Sequence, residues 1–222
     1  MKVKTGFKLL ALQIIFISAC TNVTKDIGIF VANQDIGACA IEGEMKYDVE
    51  DDVYVLSGSG ENIWFGKDQF HYAWFKSSGD ITVRAKIEFT GEGKNAHRKA
   101  GWMFRNELDS TSAHISATIH GDGLTGLQYR QAKGEEMQEV KSMANDPQYF
   151  EMQKSGDEFK MVTWSQEGRT DTVFFNADLL NDAYYVGLFI CSHDNSVRES
   201  VKFSKVEVWS GGEEIPPYEV DR

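Results

Sequence analysis

The sequence predicts an all-β protein in which two antiparallel sheets pack face to face as a sandwich. Apolar and polar residues alternate with a period of two, most clearly over Asp80–Phe89, which turns five apolar side chains to one side and polar ones such as Arg84 and Glu88 to the other. Glycine-rich turn signals recur at intervals of roughly 8–12 residues, which is typical of sandwiches and barrels. The 20 glycines and only 3 prolines suit a chain of strands joined by tight turns.

Ten segments have the composition and alternation of strands. Ser200–Trp209 repeats the pattern, but its phase slips near Ser204–Lys205, which predicts a β-bulge. Glu135–Lys141 suits a short helix and a strand equally well. The ten predicted strands are, in order, Val53–Ser57, Gln69–Lys76, Asp80–Phe89, Ala100–Asn106, Ala113–His120, Gly126–Gln131, Glu158–Ser165, Thr170–Asn176, Tyr184–Ser192 and Ser200–Trp209.

Length and charge limit the domain count and the class of partner. The chain has 222 residues and a net charge of −11, with 34 acidic residues against 23 Lys plus Arg. Removing residues 1–19, which carry three lysines and no acid, leaves 203 residues with a net charge of −14. We expect one sandwich over residues 32–212 and a C-terminal tail over 213–222. An excess of acid excludes nucleic acid as a partner, because binding to phosphates needs clustered Lys and Arg.

The N-terminus has the features of an export signal. Three lysines within Met1–Lys8 precede the apolar run Leu9–Ile17, which is too short to span a bilayer in a mature protein. Small residues then lead to Cys20, which resembles a bacterial lipoprotein signal. We expect lipidation of Cys20 and a tether over residues 20–31, with membrane contact through the lipid alone. The predicted location is the extracytoplasmic cell envelope, at the outer membrane. The alternatives are an ordinary secretory signal and a buried strand.

The remaining cysteines, Cys39 and Cys191, leave two readings open. An oxidising compartment allows a disulfide between them, and two buried free thiols are the alternative. A structural zinc site is not predicted, because the chain has no Cys-x-x-Cys or His-x-x-x-His spacing.

Several short blocks, taken with their order and spacing, give a more specific indication. These blocks are Asp35–Gly37, Tyr47–Asp48, Leu56–Trp64, Asp68–Tyr72, Lys99–Arg105, Ser112–His114, Gly126–Arg130, Tyr185–Leu188 and Ser192–His193. With them the chain resembles the concanavalin A-like lectin/glucanase sandwiches, in particular an uncharacterised laminin-G-like branch found in secreted bacterial proteins. The resemblance implies a two-sheet antiparallel jelly roll, a fold associated with glycan binding or with unassigned function.

Three predicted strands between residues 100 and 131 bring polar side chains to one face if they are neighbours. The alternation then places Arg105, His114, Ser116, Gln128 and Arg130 together. Forked guanidinium donors and an amide suit sugar hydroxyls or a carboxylate, so Arg105, His114, Gln128 and Arg130 are predicted ligand-binding residues. The alternative is an ordinary solvated outer face held by cross-strand pairs.

Aromatic residues offer a second type of contact. Trp64 and Tyr72 are predicted to stack on a sugar ring, although large aromatic residues more often fill a sandwich core. His193 follows an apolar strand, where it either lines a site or caps a turn.

Neither catalysis nor a metal is predicted. The Glu-x-Asp-x-Glu strand motif of glucanases on this fold is absent, and so is a Gly-x-Ser-x-Gly elbow. Calcium stays a possibility through Asp68, Asp122 or Asp194, each of which is also explained as a turn residue.

The function that these observations predict is a lipid-anchored, extracytoplasmic β-sandwich that binds a carbohydrate or glycan-derived ligand without catalysis. One alternative is a glycoside hydrolase or lyase of the same fold whose carboxylates no motif marks. Another is a structural lipoprotein that interacts with an unknown protein partner.

Overall fold

The structure is a computed structural model that describes residues 26–165 and 168–211. Within those ranges the chain forms fourteen strands and no helix. The predicted signal over residues 1–19, the predicted lipidation site Cys20, the first part of the predicted tether and the predicted tail over 213–222 lie outside the described residues.

Two antiparallel sheets of seven strands each make up the fold. We call them the front sheet, in the order β1-β4-β13-β6-β7-β8-β9, and the back sheet, in the order β12-β11-β10-β5-β14-β3-β2. The strands are β1 Ala32–Ile36, β2 Glu44–Asp48, β3 Val53–Gly58, β4 Phe70–Ser78, β5 Ile81–Phe89, β6 Lys99–Arg105, β7 His114–His120, β8 Thr125–Arg130, β9 Gln138–Lys141, β10 Tyr149–Ser155, β11 Glu158–Ser165, β12 Gly168–Asn176, β13 Ala183–Cys191 and β14 Glu199–Ser210.

The prediction of an all-β, two-sheet antiparallel sandwich is confirmed. Each of the ten predicted strands is present with small differences at its ends, and Glu135–Lys141 contains a strand, β9. The register of β14 shifts between Ser204 and Glu207, where Lys205 has a φ of 50°, so the phase slip marks a bulge. Three strands, β1, β2 and β10, were not predicted.

The main core lies between the two sheets. The front sheet contributes fully buried side chains such as Trp102, Phe104 and Leu188, and the back sheet contributes Phe150 and Phe203. These residues occupy alternate positions of their strands and point between the two sheets. The positions between them on each strand point out of the sandwich. The outward set on the front sheet positions the site.

Part of the outer face of the front sheet is covered. The segment 59–69 between β3 and β4, which we call the covering loop, places Ile63 against this face. A second apolar cluster forms there and includes Phe70, Tyr72, Met103 and Phe189, all fully buried. One portion of the outer face is therefore a small core, and only the remainder is open to a ligand.

Candidate functional site

The strand register brings the predicted polar residues together. β6, β7 and β8 are successive neighbours, and Arg105, His114 and Arg130 lie opposite one another across them. Ser116 and Gln128 form the next row along the same face. The three strands are thus neighbours, as the prediction for these residues required.

Arg105 and Arg130 both contact the carboxylate of Asp68, which belongs to the covering loop. Arg130 donates from Nη2 to Asp68 Oδ1 at 2.6 Å and from Nη1 to Oδ2 at 2.9 Å, while Arg105 Nη2 lies 3.5 Å from Oδ2. We call Asp68, Arg105 and Arg130 the arginine clamp. None of the three side chains has any exposed surface.

The remaining guanidinium donors of the clamp hold backbone carbonyls of the loops above the sheet. Arg105 donates to the carbonyls of Glu107 and Asp109, and Arg130 donates to those of Phe65 and Glu135. The clamp therefore fastens three loops to the front sheet, and its donors are used within the protein.

The ligand contacts predicted for Arg105, Arg130 and His114 need correction. All three residues are 0% exposed, because the covering loop, which no periodic pattern reveals, lies over them. His114 Nε2 lies 3.0 Å from the sulfur of Met137. Burial, together with the two arginines, holds the pKa of His114 well below its usual value, so the ring is neutral. These residues position the covering loop and do not reach solvent.

Tyr72 also belongs to the buried region. Its ring is 0% exposed and its hydroxyl donates to the carbonyl of Met103 at 2.9 Å, so the stacking predicted for it is not available. Burial raises its pKa. Asp68 has both oxygens engaged by arginine and is unsuited to calcium. Asp194 accepts bonds from Ser196 and pairs with Lys94, as a turn residue does.

A second group of polar side chains lies farther along the same face. Lys99 and His120 are opposite one another on β6 and β7. The amide nitrogen of Gln128 lies 3.1 Å from His120 Nε2 and donates to Glu139 Oε1 at 3.0 Å. Trp64 of the covering loop completes the set, with its ring 6.0 Å from Lys99 Nζ. We call these five residues the polar groove.

Exposure separates the polar groove from the clamp. Lys99 and Gln128 are 2% exposed and His120 is 4% exposed, so these three side chains are nearly buried and form the floor of the groove. Trp64 and Glu139 are half-buried and form its rim. His193, the last of the predicted ligand-binding residues, is half-buried, and its ring centroid lies 5.7 Å from that of His97, beside His120. Trp64 and His193 are thus the predicted ligand-binding residues that keep exposed surface, whereas Gln128 is buried and its amide nitrogen contacts His120 and Glu139.

Lys99 is a buried cation with little compensation. Its ammonium donates to Asn62 Oδ1 at 3.0 Å, and among the described residues it has no ion pair. Burial lowers its pKa, against the more distant pull of Glu139 and Asp68. Within the described ranges, Lys99 thus has no carboxylate within ion-pair distance. A ligand carboxylate would supply the missing partner.

His120 is neutral and its hydrogen-bonding roles are defined by Gln128. Because one amide nitrogen faces both Glu139 Oε1 and His120 Nε2, the imidazole accepts at Nε2 and carries its proton on Nδ1. Burial, followed by the charge of Lys99, lowers the pKa of His120 to about 3. The floor of the groove thus presents one ammonium, one amide and one neutral imidazole.

Sequence reasoning missed Lys99, His120 and Glu139. The signal for two of them was available: Lys99 alternates with Arg105 on the same strand, and His120 alternates with His114. The position of Glu139 depended on recognising β9 as a strand beside Gln128.

Comparison with known proteins is consistent with this architecture. No known family matches the sequence, and no curated protein matches it. A protein of unknown function from Saccharomyces cerevisiae is 10% identical, with a TM-score of 0.55, over 76% of this chain and 92% of the other. The carbohydrate binding module CBM66 from Bacillus subtilis is 13% identical, with a TM-score of 0.51, over 82% and 98%.

A crystal structure of alginate lyase A1-II′ is 12% identical, with a TM-score of 0.52, over 75% of this chain and 83% of the other. At these identities the likeness concerns the fold. The protein has the jelly-roll fold of the concanavalin A-like β-sandwiches, as the resemblance implied. Across the part of the chain that the structure covers, no helix has the length and apolar character needed to cross a membrane.

Proposed function

We propose that this protein binds a carbohydrate in the polar groove on the outer face of the front sheet, without catalysing a reaction. The observation that supports the proposal most strongly is the buried ammonium of Lys99. Among the residues that the structure describes, it has one hydrogen bond and no ion pair, in a face lined by Gln128, His120 and Glu139. Keeping such a charge partly desolvated is unfavourable unless a partner compensates it. Fold relatives that include a carbohydrate binding module are consistent with a sugar ligand.

Each side chain of the groove has a definite role in this proposal. Lys99 pairs with a carboxylate of the ligand, which selects an acidic sugar over a neutral one. Glu139 accepts a hydrogen bond from a sugar hydroxyl, and the ring of Trp64 packs against the apolar face of the sugar. Gln128, held between His120 and Glu139, orients both groups.

The absence of catalysis in this proposal follows from the residues of the groove. Hydrolysis of a glycoside requires two carboxyl groups flanking the scissile bond, and Glu139 is the single carboxylate of the five groove residues. One observation favours a second candidate, a lyase. Lys99 would neutralise the carboxylate of an acidic sugar, which is the charge stabilisation that an elimination next to that carboxylate needs. Elimination would then leave an unsaturated sugar, which absorbs ultraviolet light.

The direct test is calorimetric titration of the purified protein with matched sets of neutral and acidic oligosaccharides. We expect an acidic oligosaccharide to bind, and Lys99→Met to weaken binding by about tenfold or more, equivalent to about 1.4 kcal/mol. Lys133→Met is the matched control, because Lys133 is exposed and pairs with Glu107 away from the groove. Failure of every oligosaccharide to bind, or equal binding by Lys99→Met, contradicts the proposal. Growth of ultraviolet absorbance during incubation identifies the lyase.

We also infer that the protein is attached to the extracytoplasmic face of a bacterial envelope membrane through a lipid on Cys20. The lysine-rich start, the short apolar run and the small residues before Cys20 support this. Metabolic labelling with a fatty acid tests it: the wild-type chain should incorporate label and fractionate with membranes. Incorporation that persists in Cys20→Ser contradicts the assignment of this cysteine.

A further inference from the structure

Three histidines and an aspartate meet at one end of the front sheet, next to the polar groove. His97 lies before β6, His120 ends β7, Asp122 lies in the turn that follows, and His193 follows β13. These strands are neighbours, so their ends converge. His97 Nδ1 lies 3.4 Å from Asp122 Oδ2, and the ring centroids of His120 and His193 lie 5.9 Å and 5.7 Å from that of His97.

The ligand atoms of three of these residues are close enough for one ion. His97, His120 and Asp122 each offer one nitrogen or oxygen atom, and all three atoms lie within 4.8 Å of one another. Ligands of a tetrahedral metal at bond lengths of about 2.0–2.2 Å are separated by roughly 3.3 Å. His97 and Asp122 are exposed on loops, so both are able to move the short distance required, while His120 stays fixed in its strand.

Two buried nitrogen atoms at this place have no partner. The Nδ1 atoms of both His120 and His193 are inaccessible and accept or donate no hydrogen bond among the described residues. His120 uses Nε2 for Gln128, so Nδ1 is the atom left for a ligand. Zinc binding at Nδ1 would move the ring proton to Nε2 and turn the Gln128 amide so that its oxygen accepts from Nε2. A buried polar atom without a partner is uncommon in proteins, and a bound ion or water is one explanation for it. His193 also has a φ of 58°, a left-handed backbone that a histidine adopts at some cost.

We propose that His97, His120 and Asp122 form a zinc site, with His193 beside it as a fourth donor or as a partner of a bound water. Imidazole and carboxylate are the ligand types that Zn²⁺ prefers in such sets, whereas Ca²⁺ favours oxygen ligands alone. Three protein ligands leave one coordination position for His193 or for a water. The charge of Lys99, opposite His120, disfavours a cation here, and the carboxylate of Asp122 offsets it.

This zinc site is independent of the proposed carbohydrate binding, because its ligands converge whether or not a sugar occupies the groove. Sequence reasoning disfavoured zinc for lack of closely spaced ligand pairs. The ligands are instead distributed over two loops and a strand end, which the fold brings together.

The test is titration of the untagged, chelator-treated protein with ZnSO₄, followed by calorimetry and by competition with a chromophoric chelator. We expect one zinc ion per chain, and we expect His97→Ala and Asp122→Asn each to weaken binding by about tenfold or more. Asp51→Asn, which alters an exposed carboxylate elsewhere, should bind as the wild type does. His97 and Asp122 are exposed, so their variants should keep the thermal stability of the metal-free protein.

Cobalt provides a second readout that reports geometry. The Co²⁺-loaded wild-type protein should show the intense visible absorption of a tetrahedral site, and His97→Ala should lose it. The proposal is overturned if no zinc binds, or if zinc binds equally to wild type, His97→Ala and Asp122→Asn. Weak binding of several ions per chain, unaffected by these substitutions, would likewise overturn it.

Discussion

The arginine clamp gives the sharpest test of how the covering loop is held. Asp68 accepts hydrogen bonds from Arg130 through both oxygens, and Arg105 approaches the same carboxylate. Asp68→Asn keeps the shape of the side chain but removes its negative charge. Two buried guanidinium groups then remain without a counter-ion, and the loop that covers them loses its principal anchor.

The magnitude follows from the burial of all three side chains. Breaking a buried ion pair by removing one partner costs about 3–5 kcal/mol, because the remaining charge stays desolvated. The Asn amide oxygen still accepts one hydrogen bond, so we expect the lower end, about 3 kcal/mol. For a domain of about 200 residues this corresponds to a fall in Tm of about 6–12 °C.

Urea unfolding monitored by tryptophan fluorescence measures the change in the free energy of unfolding. The matched control is Glu107→Gln, since Glu107 and Lys133 form an ion pair in which both side chains are more than half exposed; it should cost less than about 1 kcal/mol. The double variant Asp68→Asn/Arg105→Met removes the surplus cation as well, so its loss should be smaller than the sum of the two single losses. A loss below about 1 kcal/mol for Asp68→Asn refutes the reasoning.

Three further predictions concern pH, thiol chemistry and packing. His114 stays neutral in the folded protein but binds a proton below about pH 6.5 in the unfolded chain, so its contribution to stability, up to about 1.4 kcal/mol per pH unit, is lost as pH falls. His114→Asn should therefore flatten the dependence of the urea midpoint on pH between about pH 6.5 and 5. A pH dependence as steep as that of the wild type contradicts this. Burial raises the pKa of Cys39 to about 12 and that of Cys191 to about 11, so iodoacetamide should alkylate both thiols only after the protein is unfolded, and no reductant should be needed. Mass spectrometry measures the alkylation. Thiols that stay unmodified in the unfolded protein until a reductant is added would indicate a disulfide. Gly187→Ala would place Cβ 2.1 Å from the carbonyl oxygen of Ala73, so unfolding in urea should show a loss of about 1–3 kcal/mol, and wild-type stability would contradict the packing.

The fold was predictable where alternation was strong. Asp80–Phe89 alternates without interruption and lies in the centre of the back sheet, where one face packs on the core. β1 and β2 were missed because they are edge strands of mostly polar residues, half of whose surface faces solvent. β10 is different: Phe150 and Met152 point into the core, so its alternation was a usable signal that was overlooked.

The site was predictable only in part. Period-two alternation placed Arg105, His114 and Arg130 on one face, and the register agrees. The burial of those residues depends on Asp68, which reaches them from an irregular loop, and no periodicity encodes a contact of that kind. Lys99 was overlooked in favour of the arginines, although it alternates with Arg105 on the same strand and the periodicity therefore placed it on the same face.

The location of ligand binding is the central claim, and chemical-shift mapping tests it most directly. An isotope-labelled sample titrated with an acidic oligosaccharide should show perturbed resonances for the side chains of Trp64 and Gln128 and for the amides around Lys99. Resonances of the back sheet, for example those of β11, should stay unchanged. Perturbations that gather on the back sheet, or none at saturating ligand, would contradict the assignment of the polar groove as the binding site.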